Sequence, residues 1–317
     1  MSDARPASHD PEFPGRPPGG GNLDVRWIHG SPSRRDHTDP PLQVHRYSDD
    51  TIIIRQSKDA TFEAPFVFLL FGDERGLLLD TGAVKDDTLR QTVDRLVADW
   101  VADHPRPDYR LVVAHTHGHG DHVAGDASFS DRPATDVVGK TPEDVRAFFG
   151  FTSWPDQVVE FDLGSRRLAL TGIPGHHAAS IAIHDPRTGL LFTGDSVYPG
   201  RIYVEDFPAF VASMDRLVSF ADAREVTHVL GCHIEMTREP RRDYYFGCRY
   251  QPHEPPLQMT VAQLRALRDA AASVADQPGG RRFDDFIIYN GMGVRTQLPL
   301  VARALVSRAR DAVTSRR

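Results

Sequence analysis

Only two cysteines, Cys232 and Cys248, occur in the 317 residues, too few for a disulfide framework or for a metal site built from thiolates. A reduced interior is the simpler expectation. No apolar run approaches the ~20 residues that span a bilayer, and the first residues lack a charged-then-apolar leader pattern, so a cytoplasmic chain without a membrane partner is expected. Lysine is nearly missing: Lys58, Lys85 and Lys140 are the exceptions among 37 basic residues, and the rest are arginine, a bias read as genomic base composition. Acidic residues number 44, giving a formal net charge of -7, and no basic cluster stands out before the last few residues. A nucleic-acid partner, which requires a basic face to displace counterions from phosphates, is therefore disfavoured.

What is present supports a sizeable core, since 40% of the residues are hydrophobic. Residues 1–22 are rich in Pro, Gly and polar side chains and read as a disordered tail. Residues 23–317 then read as one domain. "TIIIRQ" (51–56), "PFVFLLFG" (65–72) and "RGLLLDTG" (75–82) are nearly continuous apolar runs, as expected of strands covered on both faces. Leu89, Val93, Leu96, Val97 and Trp100 recur at helical spacing, and "RLVVAH" (110–115) follows as a buried strand. Further strands are expected at 136–139, 158–164, 166–174, 180–185, 190–195, 228–232 and 285–290, with helices at about 207–221, 259–275 and 298–315. Strand clusters alternating with covering helices indicate a layered α/β sandwich.

The concentrated chemistry lies in "HTHGHGDHVAG" (115–125), expected as a loop at the end of a buried strand. Imidazole and carboxylate are good ligands for divalent first-row metals. His117 and His119 alternate, so in extended backbone they point to one side, and Asp121 and His122 follow Gly120, an arrangement able to feed two adjacent metals.

"THGHGDH" resembles the T-H-x-H-x-D-H signature of the metallo-β-lactamase superfamily. Downstream, "IPGHHAASIAI" resembles its P-G-H motif and puts His176 in a ligand position, "LLFTGDSVY" resembles F-x-G-D and supplies Asp195, and "HVLGCHIEM" supplies His233. "LLLDTG" looks like the upstream D-T-G strand, with Asp80 supporting the ligands from behind. The resemblance implies a four-layer αβ/βα metallo-β-lactamase sandwich. His117, His119 and His176 would hold one metal, Asp121, His122 and His233 another, and Asp195 would lie between them. Two metals about 3.5 Å apart share a water and present it as hydroxide at neutral pH. Asp121 would also orient that nucleophile and shuttle its proton. Zinc is the default, with iron or manganese fitting the same donors.

The implied activity is hydrolysis of a small ester, thioester or lactone, in the glyoxalase II and lactonase branches, because the commonest lactamases of the superfamily carry cysteine where Asp195 stands. Alternatives are a mononuclear iron persulfide dioxygenase, a β-lactam hydrolase and a non-catalytic metal-dependent binding module. Tyr198, Arg201 and Tyr203 are candidate substrate contacts, and the Arg- and Tyr-rich stretch 236–254 invites comparison with the glutathione-binding residues of glyoxalase II. The expected reading of His115 is a buried, hydrogen-bonded side chain, of His177 a supporting or solvent-facing one, and of Cys232 a packed one.

Overall fold

In a computed structural model, residues 21–307 are described, apart from 34, 36, 292 and 294–297. The expected disordered tail therefore lies almost wholly outside the described residues, as do residues 308–315 of the expected last helix, whose first part is helical over 298–307.

The first sheet starts as an antiparallel meander of β1 (Leu42–Ser48), β2 (Thr51–Gln56), β3 (Phe66–Phe71) and β4 (Arg75–Leu79). The unbroken β-branched and aromatic runs of β2 and β3 are buried along their whole length, as two-sided cover requires. Helix α1 (Thr88–Asp103) then crosses over, which lets β5 (Arg110–Ala114) pair parallel to β4, and β6 (Thr135–Val137) extends the parallel edge. Between β5 and β6 lie two single turns of helix, α2 (Gly120–Val123) and α3 (Asp126–Phe129).

After α4 (Pro142–Phe149), the second sheet takes β7 (Val158–Asp162), β8 (Arg167–Gly172), β9 (Ile181–Asp185) and β10 (Leu190–Gly194). β11 (Arg201–Val204) and helix α5 (Phe207–Asp222) lead to β12 (His228–Gly231), which pairs parallel to β10, and β13 (Gln258–Met259) closes the edge before α6 (Val261–Ser273). β11 instead pairs with β15 (Ile287–Asn290), itself joined to β14 (Gly279–Arg282), in a small third sheet.

Three apolar layers result. Phe66, Phe68, Leu70 and Leu77 of the first sheet meet Leu168, Ile181, Ile183 and Phe192 of the second in the centre. Ile52, Val67, Leu69 and Val113 face Leu89, Val93, Leu96 and Trp100 of α1 on one outside, and Leu191 and Val229 face Phe210, Met214, Leu217, Leu264 and Leu267 of α5 and α6 on the other. The architecture is the expected αβ/βα sandwich.

One charged group ties the two sheets together inside this core. The buried Arg166 donates to the carbonyls of Asp50 (2.6 Å) and Phe71 (2.9 Å) on the first sheet and to Asp185 Oδ2 (2.6 Å) on the second. Burial would raise the Asp185 carboxyl, but the Arg166 guanidinium outweighs it and holds the group below the usual carboxylate range. No helix among the described residues is long and apolar enough to cross a membrane.

Candidate metal centre

Both sheets contribute at the same edge and by the same device, the carboxyl ends of two adjacent parallel strands. In the first sheet β4 and β5 finish side by side, with Leu79 opposite Ala114, so that Asp80 lies beside Thr116. Asp80 adopts a left-handed backbone (φ 72°) and its carboxylate accepts from Thr116 N (2.7 Å) and Thr116 Oγ1 (2.9 Å), fixing the start of the histidine segment. In the second sheet Asp195 follows β10 and His233 follows β12. The sheets are stitched at this edge by Phe66 N donating to Cys232 O (2.8 Å) and Ile181 N to Thr116 O (3.0 Å).

The histidine segment is not wholly loop, as its spacing alone suggests. Residues 115–119 are extended or irregular, but Gly120–Val123 winds into α2, which turns Asp121 and His122 back toward the second sheet while His117 and His119 stay in front. Two groups of donors result. His117 Nε2, His119 Nδ1 and His176 Nε2 converge with separations of 3.0–3.1 Å. His233 Nε2 lies 3.2 Å from Asp121 Oδ2, 3.4 Å from Asp195 Oδ2 and 3.3 Å from His122 Nε2, and His122 Nε2 lies 3.5 Å from Asp195 Oδ1. The groups adjoin, for the His117 and His122 rings are 4.0 Å apart. All seven residues expected as ligands are in these two groups.

The donors fit divalent cations. Three ring nitrogens at hydrogen-bond distance from one another cannot be satisfied by one another's protons, and Asp195 Oδ1 is buried without a hydrogen-bond partner among the described residues. Burial, reinforced by the neighbouring histidines, pushes the His117 imidazole well down; burial also takes His176 to about 4, against the opposing pull of Asp195, so both are neutral near pH 7. Burial opposes charge on His122 and His233 as well, but Asp195 with Asp80 or Asp121 outweighs it and raises His233 to about 9. The second group thus holds protons among carboxylates until a cation displaces them.

The far nitrogens of four rings are engaged by oxygen: His117 Nδ1 with Thr116 Oγ1 (3.1 Å), His122 Nδ1 with Asp80 Oδ2 (2.8 Å), His176 Nδ1 with Tyr203 O (2.6 Å) and His233 Nδ1 with Glu63 O (3.2 Å). An imidazole that donates on one side keeps its other lone pair for a cation. His115 is buried and bonds Asp126 Oδ1 (2.8 Å), and Cys232 is fully buried against Asp80, with burial pushing its thiol well up; neither joins the two donor groups, although Asp80, His122 and Cys232 form a third cluster behind them. His177 is half-buried, its ring 5.0 Å from that of His119.

The expected substrate contacts sit differently from the ligands. The Tyr198 ring is 5.8 Å from that of His233, but its hydroxyl donates to Arg201 O and Glu235. Arg201 is 2% exposed and pairs with Glu235 and Asp243, and Tyr203 Oη accepts from Arg201 Nε (3.0 Å). Their polar atoms serve a buried network. In the aromatic-rich stretch "FFGFTSW" (148–154), Phe149 and Phe151 belong to the central core. The 236–254 stretch lines a cavity of about 760 Å³ with Arg238, Arg242, Tyr244, Tyr245 and His253, to which no residue of the two donor groups contributes. Glu254 pairs bidentately with the buried Arg55, at 2.6 and 2.7 Å.

Comparison with known proteins agrees with this geometry. Residues 60–227 match the family model described as the metallo-beta-lactamase superfamily. A hydroxyacylglutathione hydrolase of Synechococcus sp. (strain JA-3-3Ab) is 26% identical over 242 residues, covering 73% of this chain and 86% of that protein. The acyl-coenzyme A thioesterase MBLAC2 of Gallus gallus is 36% identical over 78 residues, 23% of this chain and 28% of that protein. Among solved structures, TMB-1 superposes with a TM-score of 0.51 at 14% identity, covering 75% of this chain and 100% of that one, a likeness of fold alone.

Proposed function

The chain belongs to the metallo-β-lactamase superfamily and is a metal-dependent hydrolase, and from that premise we propose that it hydrolyses a small acyl thioester, or a related ester or lactone, using two zinc ions. The observation that carries the reading is the pair of adjoining donor groups, with the buried Asp195 Oδ1 of the second left without a hydrogen bond among the described residues. The thioester is favoured among the three bonds because two relatives named for thioester hydrolysis match this chain over different lengths.

His117, His119 and His176 would hold one cation and Asp121, His122 and His233 the other, with Asp195 serving both. Cations held there supply Lewis acidity, which acidifies water and polarises a carbonyl. The chain's own residues do the rest. His117, His122, His176 and His233 are buried, whereas the His119 side chain is 34% and the Asp121 side chain 21% exposed, so substrate approaches past these two. Asp121 is the carboxylate at that open side; its Oδ2 faces His122 and His233, which leaves Oδ1 as the oxygen to accept the proton of the attacking water and return it to the leaving thiol or alcohol. The buried imidazoles hold their tautomers through the oxygens behind them, so the donor set is rigid before substrate arrives.

The test is a panel of small thioesters, esters and lactones with zinc-loaded protein, following thiol or acid release. Turnover of at least one substrate, lost by 10²-fold or more in Asp195→Ala (roughly, as for removal of a metal-site residue), is expected. Oxygen uptake with a persulfide by a chain holding one iron, with no hydrolysis in the panel, would replace this reading with the dioxygenase.

A further inference from the structure

The four ring-nitrogen tethers described above come from buried or main-chain oxygens. A fifth is different in kind. His119 turns Nδ1 inward to His117 Nε2 (3.1 Å) and His176 Nε2 (3.0 Å), while its Nε2 points outward, 3.0 Å from Glu205 Oε1. Glu205 is 86 residues away in sequence and immediately follows β11. We infer that Glu205 is a positioning residue for the first cation: it accepts the Nε2 proton of His119 and thereby keeps the Nδ1 lone pair aimed into the site. The inference rests on the reading of His119 as a ligand.

The direction of the ring makes the acceptor necessary. A ligand histidine that presents Nδ1 brings the metal close to its own backbone and sends Nε2 away from the site. The side chain is 34% exposed and meets the His117, His176 and His177 rings edge-on, contacts that do not fix which of its nitrogens carries the proton. Without an oxygen at Nε2 the neutral ring divides between two tautomers and more than one rotamer, and only one combination offers Nδ1 inward. The His119–Glu205 pair is itself half in water, Glu205 being 53% exposed, so as an ion pair it adds little to folding. Its effect lies in geometry.

The backbone beneath Glu205 is anchored to the same half of the site. Glu205 N and Asp206 N both donate to Gly175 O, at 2.8 and 2.9 Å, one residue before His176. Gly175 has φ 137°, and a Cβ there would lie 2.4 Å from Phe210 Cα, so the loop bearing His176 is pressed onto the first turn of α5. Tyr203 O, two residues earlier, accepts from His176 Nδ1. The end of β11 therefore braces His119 through a side chain and His176 through a carbonyl, two of the three members of the first group. The far nitrogens of the second group are braced elsewhere, by Asp80 and Glu63.

The test is zinc affinity rather than turnover. Chelator-stripped wild type, Glu205→Ala and Glu205→Gln are titrated against a competing chromophoric chelator that resolves two successive affinities. Glu205→Ala is expected to weaken one affinity by about 10–100-fold, the usual effect of removing the partner of a ligand histidine, and to leave the other unchanged. Glu205→Gln, whose amide oxygen still accepts, should recover much of the loss. In a His119→Ala background the Glu205→Ala change should add nothing, and the melting temperature of metal-free protein should not move, which separates positioning from general support. Two unchanged affinities in Glu205→Ala, or an equal loss at both sites, overturn the inference while the hydrolase reading stands. A wild-type chain that takes up no zinc overturns both.

Discussion

Asp80 offers a test in which stability and metal binding part company. Its fully buried carboxylate accepts from Thr116 N, Thr116 Oγ1 and His122 Nδ1 at 2.7–2.9 Å. Hydrogen bonds to a charged group contribute about 1.5–3 kcal/mol each but are not additive here, because the three share one acceptor. Asp80→Ala also leaves the Thr116 N–H without its acceptor and puts alanine at φ 72°, a conformation aspartate and asparagine tolerate better. A loss of about 3–5 kcal/mol follows, which at roughly 2–4 °C per kcal/mol lowers the Tm of metal-free protein by about 6–20 °C. Asp80→Asn behaves differently. Its Oδ1 can still accept from Thr116 N, so most of the stability is kept, but an NH2 in place of Oδ2 donates to His122 Nδ1. The ring proton then moves to Nε2, which faces Asp121 and Asp195, and the lone pair needed by the second cation is gone. Calorimetry of the stripped protein beside zinc titration of both variants should show Asp80→Asn near wild type in Tm yet about 10–100-fold weaker at one site. Asp80→Asn binding two zincs with wild-type affinity would refute the tautomer argument.

The Arg166 network predicts acid lability independent of metal. Asp185 is held below its ordinary value in the folded chain, so its stabilisation is complete above the unfolded aspartate range and is lost as pH falls through about 4 and below; urea midpoints of stripped protein should decline there, and less steeply in Asp185→Asn. Asp50, also lowered against the pull of burial by Arg166 and Arg187, adds to the same slope. Gly175→Ala should cost stability and weaken zinc binding together, since its Cβ meets the Phe210 backbone and displaces the loop that carries His176; a variant with native Tm and native affinity would show that the loop yields freely.

Much of this arrangement is written locally in the chain. β2, β3, β5, β9 and β10 are legible because each is an apolar run with a buried fate on both faces, and the seven clustered donors because their motifs recur in order. β14, "GGRR", carries no such pattern and exists by pairing with β15. Helix α4 did have local signals, the Thr141–Pro142–Glu143–Asp144 start whose Thr141 and Asp144 cap each other and the helical spacing of Val145, Phe148 and Phe149, but they span only two turns. Arg201 and Tyr198 read as substrate contacts because they follow Asp195, yet their partners Glu235 and Asp243 lie 34 and 42 residues away from Arg201 and only the fold supplies them. Glu205 is invisible for the same reason: a surface acid acquires its role from a histidine on another strand's end.

The most direct measurement of the central claim is elemental analysis of purified, unchelated protein, counting metals per chain in the wild type and in Asp195→Ala. Two divalent ions per wild-type chain, zinc among them, with at least one lost from the variant, is the result the account predicts. One iron per chain, or no stoichiometric metal at all, would contradict it.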